Sequence, residues 1–135
     1  MALEDRAKEL GLQIFAGPGS EGLKLFLREQ NKSPIVIAFF MADWSKPCDQ
    51  FYSGLIEGNF PSFLANNHIR GLHINVDDHQ TLAGDEGIKA IPTAAIYIGE
   101  AQAYQKWTGL MAPRQFMRAI EEKVSAYAPI TIVTK

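Results

Sequence analysis

The most apolar run in the chain is Ile35-Val36-Ile37-Ala38-Phe39-Phe40-Met41. It lacks polar alternation and is rich in β-branched and aromatic residues, which predicts a central strand covered on both faces. Ahead of it, residues 3–10 are charged and helix-favouring and end at Gly11. Leu12 to Phe15 is a short apolar run closed by Gly17-Pro18-Gly19, a strand followed by a loop. Ser20 is placed to cap a helix from Glu21 to about Gln30, with Leu23, Phe26 and Leu27 inward. Ser33-Pro34 then opens the central strand.

After that strand, Asp43 to Pro47 reads as a tight loop, and a helix starts near Cys48. Phe51, Leu55 and Ile56 form its apolar face, weakened by Gly54 and Gly58, and Pro61 restarts a helix carrying Phe63 and Leu64. Ile69 to Val76 alternates, with Leu72, Ile74 and Val76 set against Gly71, His73 and Asn75, and predicts a strand. Asp77 to Gly87 is a polar, short helical connection. Ile88 to Ile98 holds a proline followed by a strand, and Gly99-Glu100 turns into a second strand, Ala103 to Trp107. A last helix accepts Pro113 near its start and buries Phe116, Met117, Ile120, Val124 and Tyr127. Pro129 is expected to stop it, leaving a short apolar tail.

The order is a leading helix, then β-α-β-α-β-α-β-β-α. Strands that alternate with helices lie parallel, and the close-coupled last pair must be an antiparallel hairpin. At 135 residues the chain is expected to be a single domain whose core runs from about 12 to 128, and no linker or repeat divides it. Such a length buries about two thirds of the unfolded chain's surface, so the fold needs no staple. A net charge of -2 offers no electrostatic case for nucleic acid or an anionic membrane, and no apolar run is long enough to span a bilayer. With no signal-peptide pattern at Met1-Ala2-Leu3-Glu4-Asp5-Arg6, the expected location is cytoplasmic.

There is one cysteine, Cys48, which excludes an internal disulfide and every multi-cysteine metal site. His68, His73 and His79 form no i, i+4 pair and read as surface or strand-end residues rather than ligands. No metal or cofactor is expected. The acidic stretch Asp77, Asp78, Asp85 and Glu86 lacks calcium-loop spacing.

Three separated pieces resemble one family. A strand, then Ala42-Asp43-Trp44-Ser45-Lys46-Pro47-Cys48, then a helix is similar to the active-site loop of thioredoxins, in which two cysteines flank two residues after a tryptophan. Asn75-Val76-Asp77 through Gly87-Ile88-Lys89-Ala90-Ile91-Pro92-Thr93 resembles the second landmark, an Ile-Pro-Thr whose proline is cis. Gly109, after the hairpin, is the third. The resemblance covers about residues 12–128. It implies a thioredoxin fold: a three-layer α/β/α sandwich with a mixed sheet of about five strands and an extra N-terminal helix.

The departures bear on activity. Ser45 stands where the family's attacking cysteine belongs, and Phe39 or its neighbours stand where thioredoxins bury an acid that takes part in proton transfer. The stretch from Phe51 to Leu64, broken at Asn59-Phe60-Pro61, looks more like distant thioredoxin-like branches. Disulfide exchange needs a thiolate to attack and a second thiol to resolve the mixed disulfide. An unperturbed cysteine is only about 3% thiolate at pH 7, and a serine hydroxyl ionises far less.

The resemblance therefore implies a protein of thiol–disulfide redox homeostasis with Ser45 and Cys48 at the catalytic positions but without dithiol turnover. A redox-inactive binding or chaperone-like module stays open beside it, and so does a scaffold that dimerises through the exposed hairpin edge or the apolar tail. Trp44, Lys46, Pro47, Ile91 and Pro92 are the expected substrate-binding residues. Trp44, Pro47, Ile91 and Pro92 are expected to form an exposed apolar patch. The expected partner is a protein or peptide whose extended backbone pairs at Ile91–Pro92, with a thiol reductant as a second candidate.

Overall fold

The computed structural model describes residues 2–29, 35–99 and 103–133, with side chains to 125. Ser33-Pro34, Glu100 of the expected turn, and the side chains of Tyr127 and Pro129 lie outside the described residues. The elements follow in the order α1 (Leu3–Glu9), β1 (Gln13–Ile14), α2 (Gly19–Glu29), β2 (Ile35–Met41), α3 (Lys46–Glu57) and α4 (Phe60–Asn66). Then come β3 (Ile69–Asn75), α5 (Gln80–Asp85), β4 (Thr93–Ile98), β5 (Gln105–Thr108) and α6 (Pro113–Val133).

The five strands form one sheet in the order β1-β3-β2-β4-β5. β1, β3 and β2 are parallel, and β4 runs antiparallel to both β2 and β5. Every residue of β2 is buried, because helices cover both faces of the middle of the sheet. Ile35, Ile37, Phe39 and Met41 point into one core with α1, α3, α4 and α6. Val36, Ala38 and Phe40 point into a second core with α2 and α5. This is the strand alternation of period two, with both faces apolar.

Phe39 lies at the centre of the first core, with the rings of Phe51, Tyr52, Phe60 and Phe116 all within 6.1 Å between centroids. Such edge and tilted contacts add to the area each ring buries. α1 completes this core through Leu3, Ala7 and Leu10.

Four expectations are corrected. Ser20 lies inside α2 rather than capping it, and its hydroxyl donates to Asp85 Oδ2 at 2.9 Å, tying α2 to α5. The second hairpin strand sits later than expected, at Gln105–Thr108. α6 continues through Pro129 to Val133. A proline that near a helix end removes only one backbone bond of the final turn.

The fourth correction is His73, which is buried in β3. Both faces of β3 are packed, Ile69 in the first core and Leu72 and Ile74 in the second, so its alternation does not mark a solvent face. No helix among the described residues is long and apolar enough to cross a membrane.

Candidate functional site

The site forms where β2 and β3 end, at the carboxyl edge of the parallel strands, where ligands bind in open α/β sheets. β2 ends at Met41, and the chain turns through Asp43 and Trp44 into α3. Ser45 is the N-cap of that helix: its backbone is extended, and its Oγ accepts the Cys48 N–H at 3.3 Å. Lys46 and Pro47 occupy the first turn, where proline needs no hydrogen-bond donor. Cys48 follows at the third helical position.

This order decides the chemistry of the two positions that the resemblance marks as catalytic. Ser45 is 5% exposed and Cys48 is 0% exposed. A helix N-terminus favours a thiolate by up to about 1 kcal/mol, but removing the sulfur from water works against it. Burial pushes the Cys48 thiol up, and hydrogen bonding to the Ser45 side chain and the Ala42 main chain only partly opposes it. The thiol stays neutral at physiological pH.

Trp44 is 71% exposed and held upright, its Nε1–H donating to Asp77 Oδ2 at 3.0 Å. It forms one wall of an open groove of about 740 Å³. Ser45, Lys46 and Pro47 continue that wall, and Ile88 to Ile91 form the opposite rim. The floor and far end come from Val76 and from Ala83 of α5. Four of the five expected binding residues, Trp44, Lys46, Pro47 and Ile91, thus line one cavity, joined by Ser45.

Pro92 is the exception. It is buried rather than part of an exposed patch. Its peptide bond with Ile91 is cis, and its carbonyl accepts the Gly109 N–H at 2.8 Å. Thr93 Oγ1 donates to the Ala90 carbonyl at 2.6 Å, closing the loop beneath. Pro92 and Thr93 therefore shape the rim from below while Ile91 faces the groove. Among the described residues, the Ile91 N–H and C=O have no hydrogen-bond partner.

The α5 wall was missed in the sequence. Val76, Ala83 and Ile88 look like ordinary core positions, and only their place after β3 and before the Ile-Pro-Thr pointed to the site. On the other side of Trp44, α1 braces the loop: the Leu3 N–H donates to Asp43 Oδ1 at 3.0 Å. Arg6 Nε lies 2.7 Å from Asp49 Oδ1, an ion-pair contact not aligned as a hydrogen bond.

The polar group beneath the site is also new. Tyr52, one helical turn after Cys48, places its hydroxyl 2.6 Å from His73 Nδ1. Burial pushes the Tyr52 hydroxyl well up, with a further push from Cys48. Burial lowers His73 to about 4, and the Asp43 carboxylate opposes that shift. Phe39, beside His73 in the sheet register, is apolar and fully buried, so no acid stands there. No group of three or more potential metal ligands occurs among the described residues.

Solved structures with a similar fold are consistently thioredoxins. One from Malassezia sympodialis has a TM-score of 0.66 at 18% identity, covering 84% of this chain and 93% of its own. One from Trichomonas vaginalis has a TM-score of 0.64 at 20% identity, covering 86% and 96%. A mutant thioredoxin from Halobacterium salinarum has a TM-score of 0.63 at 21% identity, covering 81% and 87%. The chain has the thioredoxin fold. At these identities the likeness speaks for the fold alone. No protein-family model matches the sequence, and none of the curated proteins does.

Proposed function

We propose that this thioredoxin-like protein serves thiol–disulfide redox homeostasis by binding an extended polypeptide in the Trp44–Ile91 groove, without dithiol reductase turnover. The observation that carries this reading is the groove, in which the exposed Trp44 and Pro47 face the half-buried Ile91. An apolar cleft beside unpaired main-chain groups suits a strand-like ligand, whose backbone pairs at Ile91 while its side chains fill the pocket. Lys46 and Lys89 on the rim favour ligands with acidic residues beside the apolar ones. The reducing cytoplasm suits a chain whose single thiol is kept buried.

Turnover fails for a reason of atoms. If Cys48 attacked a substrate disulfide, one substrate sulfur would leave as thiolate and the other would stay bonded to Cys48. No second thiol is present to take Cys48's place in that bond.

A second reading, a redox-inactive binding or chaperone-like module, is favoured by the full burial of Cys48 and its raised thiol. One pair of proteins separates the two. The chain as it stands should not accelerate the reduction of insulin by dithiothreitol. Ser45→Cys, with N-cap and third-position sulfurs on one helical turn, should form an internal disulfide. Turnover by that variant favours the redox reading, and a disulfide without turnover favours the binding module. Turnover by the unaltered chain would overturn both. Groove binding is tested by titrating a reduced, alkylated unfolded polypeptide carrying a fluorescent dye and reading its anisotropy. No response at high concentration would remove it.

A further inference from the structure

Under the site loop lies a buried polar cluster that the groove does not use. Cys48 and Tyr52 sit four residues apart on α3, so their side chains share one face of the helix. His73 rises to meet them from β3, beside Phe39 in the parallel register. Tyr52 is fully buried and His73 is 2% exposed, and the two rings lie 5.6 Å apart between centroids. Their hydroxyl-to-Nδ1 contact of 2.6 Å is short even for a hydroxyl donor.

A phenol carries one proton, so it donates one hydrogen bond at a time. A hydroxyl committed to His73 has none left for a thiolate at position 48. We propose that His73 is a positioning residue: it accepts the Tyr52 hydroxyl hydrogen bond at Nδ1, turns that O–H away from Cys48, and so withholds from the site thiol a hydrogen bond that would favour its thiolate. The arrangement requires a neutral imidazole with its proton on Nε2, and burial favours the neutral ring.

Beyond the hydrogen bonds from the Ser45 side chain and the Ala42 main chain, the packed elements offer Cys48 little else. α4 and α6 contribute Phe60 and Phe116 to the same core, and β2 contributes Phe39. The nearby charges are Asp43 in the loop, which acts on His73, and the flanking Arg6–Asp49 pair. This assignment goes beyond groove binding and does not depend on it. A failure of polypeptide binding leaves it standing.

The test reads the single cysteine directly, since selective [13Cβ]cysteine labelling gives one resonance whose shift follows thiol ionisation. His73→Leu frees the Tyr52 hydroxyl and should lower the Cys48 midpoint by about one pH unit, a tenfold change in thiolate. His73→Asn keeps an acceptor near the Nδ1 position and should restore the original midpoint. The double variant Tyr52→Phe/His73→Leu has no hydroxyl to turn and should lose the drop. A midpoint unmoved by His73→Leu, or an equal drop in the double variant, overturns the proposal. Nitrogen-15 NMR of the unaltered protein provides a test that needs no variant to fold. It should show the Nε2–H tautomer at neutral pH, and an Nδ1–H tautomer would reverse the bond and overturn the assignment.

Discussion

Ser45 caps α3 at the position where the resemblance to thioredoxins implies a nucleophile. Its Oγ satisfies the Cys48 N–H, one of the donors a helix leaves unpaired at its start. Ser45→Ala should cost about 1 kcal/mol in urea unfolding, and a loss under about 0.2 kcal/mol would show that the cap contributes nothing. His73 makes a stronger claim because it is buried in its neutral form. Its folded pKa of about 4 lies below the ordinary value of 6.5. As pH falls below 6.5 the unfolded chain takes up a proton that the folded chain refuses, so stability is lost until about pH 4. The difference corresponds to about 3 kcal/mol. His73→Asn removes this group, so the stability gap between the two proteins should shrink by about that amount from pH 7 to pH 4. A constant gap would place His73 in a more solvated setting.

Among the elements, β2 was plain in the sequence because seven apolar residues without alternation suit only a strand covered on both sides. The loop from Trp44 to Cys48 and the Ile91–Thr93 segment were equally legible, since their residues form a spaced set. β3 was only half legible. Its alternation suggested one wet face, yet Gly71 and His73 lie under helices, and a local pattern does not show how many neighbours a strand will have. The signal that could have revealed His73 is Tyr52, a polar tip on the inward face of α3 that needs a buried partner. Gly54 shows the same limit in a helix. By propensity it weakens α3, and alanine there should add up to about 1 kcal/mol. In the fold, a Cβ at position 54 would stand 2.7 Å from Pro113 Cγ, where α6 begins. Gly54→Ala should therefore destabilise by about 1–3 kcal/mol through overpacking. A stabilised variant in thermal melts would mean that α6 yields freely.

At the scale of the whole molecule, the groove straddles the two cores. Its Trp44–Pro47 wall starts α3, which is anchored in the core around Phe39. Its other side leans on α5 and Ile88, which belong to the core around Phe40. The sheet joins the walls, and α5 is short, fixed mainly by Leu82, Ala83 and the Ser20–Asp85 hydrogen bond. Binding and stability should therefore separate at one wall and couple at the other. Trp44 is exposed, so Trp44→Ala should leave urea stability within about 0.5 kcal/mol and still weaken binding of an alkylated unfolded polypeptide about tenfold. Leu82 is fully buried, so Leu82→Ala should cost about 2–5 kcal/mol. It should also raise amide exchange in α5 above that in α3, and weaken the same binding while Trp44 remains in place. Anisotropy of the dye-labelled polypeptide, exchange by mass spectrometry and urea melts read these effects separately. If Leu82→Ala loosens α5 without altering binding, the ligand rests on the loop wall and the Ile91 rim alone, and α5 is a bystander.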